Sequence, residues 1–173
     1  MSPTCLAPHH ARIYAFDDQL QIGHEGERAI DQTMGAFYNI RPASKEQDYN
    51  LGIDRIWEDQ TGAELFAQYK LDCIGHRTQK VFLEFALRDS HADVIVFLLP
   101  GLRRLLIFTG ELTLSIDDWA EKYGIRQVEN AGYSAPGVPV PLDELLPSAW
   151  YILPVCEADL PCHRCVWASQ NAA

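Results

Sequence analysis

Basic residues are scarce in this chain, long apolar runs are missing, and cysteines occur in an odd number. Lys and Arg total 14 against 24 Asp and Glu, a formal charge of −10. Like charge repels phosphate, which excludes broad, unspecific adhesion to nucleic acid as a main role. The longest apolar run, Val94 to Leu99, stops at Pro100 and is far too short to span a bilayer, so no membrane partner is expected. The opening Met1-Ser2-Pro3-Thr4-Cys5 lacks the pattern of a secretory signal, and the expected compartment is cytoplasmic. In a reducing compartment Cys5, Cys73, Cys156, Cys162 and Cys165 read as thiols or metal ligands rather than bridges. Internal repeats and low-complexity tracts are also absent.

What is present suits one domain with a substantial core: 173 residues, of which 47% are hydrophobic. That composition excludes a disordered chain, a collagen-like fibre and a small disulfide scaffold. Charge is uneven. Residues 1–69 carry 5 basic and 11 acidic groups, residues 70–110 carry 6 and 4, and residues 111–173 carry 3 and 9. A site for an anionic partner is therefore sought around Lys70, Arg77, Lys80, Arg88, Arg103 and Arg104, with Arg77 and Lys80 as phosphate-binding candidates.

Periodicity gives a coarse fold. Arg12 to Phe16 alternates weakly, as a short lead-in strand would. Gly23 to Phe37 reads as a helix, with Ile30, Met34 and Phe37 on one stripe. Tyr38 to Ile40 reads as a short strand, followed by a polar loop from Arg41 to Tyr49. Gly52 to Glu58 and Glu64 to Cys73 read as a hairpin around the loop Asp59 to Ala63. In the second run Leu65, Ala67, Tyr69 and Leu71 form one face, with Gln68 and Lys70 on the other. Gln79 to Leu87 is a further strand, and Ala92 to Leu99 suits a central strand covered on both sides. Arg104 to Thr109 continues the sheet. Ser115 reads as a helix N-cap with Gly124 as the stop. Residues 131–142, rich in proline and glycine, read as an extended connection. A helical turn at about Leu142 to Leu146 and a strand from Trp150 to Val155 close the pattern. The expected class is α/β or α+β, a central mixed β-sheet flanked by helices.

Three pieces carry chemistry. Gly23-His24-Glu25-Gly26-Glu27 opens the first helix, Gly52-Ile53-Asp54 enters the hairpin, and Gln68-Tyr69-Lys70 lies on its second strand. Residues i and i+2 of a strand share a face, so Gln68 and Lys70 point the same way and Asp54 can oppose them. Asp54 offers a carboxylate and Gln68 a neutral carbonyl oxygen to a hard divalent cation. Lys70 can steady a water or the charge developing on a phosphate. Glu27 can approach from the helix as a further ligand, with Glu25 its rival and Glu84 a secondary candidate. The bland alternative is an exposed polar hairpin face without metal. Tyr69 and Trp57 read as core or interface rather than base-stacking groups.

This order of residues resembles the PD-(D/E)XK nuclease superfamily, in particular the Mrr-like branch with Gln in place of the acid before X-Lys. The opening Gly-x-x-Gly-Glu is similar to the first helix of Holliday-junction resolvases. The resemblance covers about residues 23–120. It implies a restriction-endonuclease-like core, over about 23–130, with an extension over 131–173. It also implies Mg²⁺ or Mn²⁺ as cofactor, a DNA phosphodiester as substrate, and Asp54, Gln68, Lys70 and Glu27 as the catalytic set. Small size implies that a homodimer or a partner protein supplies target choice. Gln68 lowers the ligand charge by one relative to the usual acid, and with the net acidity it favours an alternative: a nuclease-fold protein that no longer cuts and serves as an interaction or inhibitory module. Separately, Cys162 and Cys165 have the spacing of a zinc knuckle, with Cys156 as a third thiolate and His163, Cys5, His9 or His10 as the fourth ligand. Structural zinc, plain thiols and redox chemistry remain the readings of that cluster, and the first would make the chain a zinc-stabilised binding protein.

Overall fold

The amphipathic stripe of the first helix and the alternation of the strands dictate how the layers meet in the computed structural model, which describes residues 16–130 and 133–155. Helix α1 (Phe16–Met34) buries Ala29, Ile30 and Met34. It presses its Gly26 so close to β3 that a Cβ there would meet the Leu71 side chain at 3.2 Å. The helix begins seven positions before Gly23, and Phe16, expected at the end of a lead-in strand, belongs to it. The rest of that expected strand lies outside the described residues. Because the helix ends at Met34, Phe37 falls in the turn beyond it and is 58% exposed rather than on the stripe.

Strand β1 (Asn39–Pro42) follows, and then a helix where a polar loop was expected. This α2 (Lys45–Leu51) has a reciprocal cap at its start: Gln47 N donates to Ser44 Oγ, and Ser44 N donates to the Gln47 side chain. Its C-cap, Gly52, is left-handed at φ 64°. Strands β2 (Arg55–Glu58) and β3 (Glu64–Leu71) form the expected hairpin, and Asp59 Oδ1 accepts the Thr61 and Ala63 amides in its turn. After α3 (Gly75–Thr78) come β4 (Lys80–Glu84), β5 (Val94–Leu99) and β6 (Arg104–Thr109). Helix α4 (Ile116–Tyr123) ends at Gly124 as expected. Ser115 makes no side-chain cap bond, because it closes a preceding 3₁₀ segment in helical conformation. Strands β7 (Arg126–Asn130) and β8 (Tyr133–Pro141), helix α5 (Leu142–Leu145) and β9 (Tyr151–Pro154) complete the described chain.

The fold is α+β. A six-stranded mixed sheet runs β1-β2-β3-β5-β6-β9, with β3 and β5 parallel and the other neighbours antiparallel. A separate three-stranded sheet runs β4-β8-β7. Every residue of β5 is buried, so its side chains serve two cores. Val94, Val96 and Leu98 meet α1 together with Trp57 and Tyr69. Ile95, Phe97 and Leu99 meet the small sheet, α4 and α5 through Val81, Leu83, Val138, Ile116 and Leu145.

The proline-rich segment expected as a connection is the middle strand of the small sheet. Its β8 pairs β7 over residues 133–137 and β4 over residues 137–141, so only Gly137 has a partner on both sides. Elsewhere one side is open, which is where a strand tolerates proline. At the crossing itself a Cβ would come within 2.4 Å of the Leu83 carbonyl, so glycine alone fits.

Candidate functional site

The site forms where β2 begins. Asp54 follows the α2 stop at Gly52, and its amide donates to the Ala67 carbonyl at 2.9 Å. Arg55 pairs with Ala67 in the register, so Asp54 stands opposite Gln68. The next rung of the ladder is made by a side chain: Tyr69 N donates to Asp54 Oδ2 at 2.6 Å.

On β3, Ala67 and Tyr69 face the α1 core, so alternation turns Gln68 and Lys70 to the side of the small sheet. Gln68 Oε1 is buried and has no hydrogen-bond partner. The open face of Gly52 lies against it: a Cβ there would stand 3.4 Å from both Gln68 amide atoms and from Ser90 Oγ. Lys70 Nζ lies 3.6 Å from Glu84 Oε2, an ion pair linking the two sheets.

Burial pushes the Asp54 carboxyl up to about 6, from an ordinary value of 3.8. The Tyr69 amide opposes that shift, the Asp48 and Glu27 carboxylates add to it, and the Lys70 ammonium opposes it. Asp48, Glu27 and Lys70 are thus near enough for their charges to be felt at the Asp54 carboxyl. Asp48, on α2, was not a candidate from sequence; the Ser44-x-x-Gln47 capping pattern with Gly52 behind it is the signal that would have placed it on a helix beside Asp54.

Glu27 does reach this neighbourhood, but its Oε2 accepts a hydrogen bond from Arg55 Nη2 at 2.8 Å. Arg55, likewise missed in the sequence, also donates from Nε to Asp31 Oδ2 at 3.1 Å and from Nη1 to the Asp54 carbonyl at 3.0 Å. Burial works against its charge, and Asp31 and Glu27 outweigh that effect, so its pKa is raised. Tyr69 OH donates to Asp31 Oδ1 at 2.9 Å and accepts from Trp57 Nε1 at 2.8 Å. Tyr69 and Trp57 are thus core residues, as expected.

The other candidates scatter. Glu25 is two residues from Glu27 on α1, about 200° around the helix, and faces away from it. Arg77 on α3 and Lys80 at the start of β4 are exposed. Lys80 and Glu84 share a strand face roughly 13 Å apart. Cys156, Cys162, Cys165, Cys5, His9, His10 and His163 lie outside the described residues. Among the described residues no three His, Cys, Asp or Glu side chains converge as a metal-holding group. A divalent cation at Asp54 would therefore draw on Gln68, whose buried and unpartnered Oε1 has the chemistry of an oxygen ligand.

No helix among the described residues is long and apolar enough to cross a membrane. No protein-family model, no curated protein and no solved structure matches the chain.

Proposed function

We propose that this chain is a Mg²⁺- or Mn²⁺-dependent endonuclease of the PD-(D/E)XK type that hydrolyses DNA phosphodiester bonds. The observation that carries the reading is the buried, unpartnered Gln68 Oε1 opposite a half-buried Asp54, with Lys70 on the same strand face. Asp54 and Gln68 would hold the cation. When bound, such an ion lowers the pKa of water and offsets charge on the scissile phosphate. Lys70 Nζ donates a hydrogen bond to the attacking water or to a phosphate oxygen and stabilises the charge that develops there. Glu84 Oε2, 3.6 Å away, pairs with that ammonium and steadies its position. Arg77 and Lys80 supply positive charge for neighbouring phosphates.

A second reading, a nuclease-fold module that binds without cutting, is favoured by the Arg55 contact that occupies Glu27. Incubation of plasmid and branched DNA with purified protein and Mn²⁺ separates the two. Cleavage that falls about 100-fold or more in Lys70→Met supports the enzyme. No cleavage of any DNA form together with no Mn²⁺ uptake by calorimetry would remove it.

A further inference from the structure

Four hydrogen bonds close a ring through Asp54. Its Oδ2 accepts the Tyr69 amide at 2.6 Å, and the Tyr69 hydroxyl donates to Asp31 Oδ1 at 2.9 Å. Asp31 Oδ2 accepts Arg55 Nε at 3.1 Å, and Arg55 Nη1 returns to the Asp54 carbonyl at 3.0 Å. The remaining guanidinium nitrogen, Nη2, holds Glu27. The ring spans three elements: α1 supplies Asp31, the start of β2 supplies Asp54 and Arg55, and β3 supplies Tyr69.

We infer that Arg55 is the positioning residue of the cation site, fixing Asp54 through this ring and restraining Glu27 beside it. The inference rests on the metal-dependent reading above. Two acids of one helix, Glu27 and Asp31, sit four residues apart and repel; the guanidinium between them removes that repulsion and locks α1 to the strand that carries Asp54. The fork geometry matters as well as the charge, because three separate nitrogens serve three acceptors. Arg55 is only 18% exposed, so these bonds face little competition from water. The carboxylate's own bond comes from the Tyr69 amide, and the ring holds the backbones that carry this donor and acceptor in register before a cation arrives, as partners lying behind metal ligands do.

The test is Mn²⁺ titration by calorimetry on wild type, Arg55→Lys and Tyr69→Phe, each first shown to be folded by circular dichroism. Arg55→Lys keeps the charge but loses the fork. Tyr69→Phe opens the ring by one hydroxyl and leaves the ring packing and the backbone amide in place. Weakening of Mn²⁺ binding by about 10-fold or more in Arg55→Lys, with a smaller loss in Tyr69→Phe, is expected. In cleavage assays the Mn²⁺ needed for half-maximal rate rises while the rate at saturating Mn²⁺ changes far less, which a purely structural role would not produce. If Arg55→Lys fails to fold, Tyr69→Phe alone decides. Folded variants that bind Mn²⁺ within about twofold of wild type overturn the positioning role and leave the nuclease reading intact. Wild type that takes up no Mn²⁺ overturns the positioning role, and if it also cleaves no DNA the nuclease reading falls with it.

Discussion

Asp54 pays for its location at neutral pH. A carboxyl with a folded-state pKa near 6 and an ordinary value of 3.8 disfavours the folded state once ionised. The cost is absent below about pH 4, where the acid is protonated whether folded or not, and fully present above about pH 6. Asp54→Asn keeps an acceptor for the Tyr69 amide and removes the charge. It is expected to raise stability by on the order of 2 kcal/mol at pH 7.5, with the gain vanishing near pH 4, in urea melts at both values. A residue whose replacement stabilises the fold is a common sign of a site shaped for something other than folding. The placement of the candidate residues was legible: strand alternation sets Gln68 and Lys70 on one face, and the hairpin register sets Asp54 opposite Gln68. Arg55 was not, because an arginine next to an acid at the start of a half-buried strand looks like any surface cation until its three acceptors, two of them from a helix over 20 residues earlier, are brought beside it.

Elements with a regular period were legible, and those set by caps or by tertiary pairing were not. The hairpin, β5, β6 and the last strand follow from alternation or from an unbroken apolar run. Helix α2 has no buried residue to betray it and is held by its caps, so hydrophobic periodicity passes over it. Strand β8 hides behind its prolines because its two partners overlap at a single residue. The α2 C-cap also shapes the site. Gly52 is left-handed and stands against Gln68, so Gly52→Ala is expected to cost roughly 1–2 kcal/mol from backbone strain. A thermal melt measures that loss; the added Cβ meets the Gln68 amide only at ordinary contact distance, 3.4 Å, so the cost is one of backbone strain.

Across the whole molecule, β5 divides two cores, and the site lies where they meet: Tyr69 belongs to the α1 side while Lys70 reaches Glu84 on the small sheet. Neither sheet order nor the departure of β4 to a second sheet could be read from the chain, since periodicity specifies faces and not neighbours. A cation held between layers adds its binding energy to folding. At 100 times the dissociation constant that is about 2.7 kcal/mol, or roughly 5–10 °C in melting temperature for a chain of this size. Differential scanning fluorimetry with Mn²⁺ should show that rise in wild type and none in Gln68→Leu, which replaces the unpartnered amide by an apolar group of similar size.

The bond from Tyr69 N to Asp54 Oδ2 has one more consequence. Because a side chain there stands in for a missing rung between two strands, position 54 must keep an oxygen whether or not the chain cuts DNA. Architecture alone would preserve Asp or Asn at that place, whereas nothing in the backbone asks for an ammonium at position 70. If the proposed cleavage holds, loss of Lys70, rather than loss of Asp54, is therefore the mark by which a relative that only binds would be known.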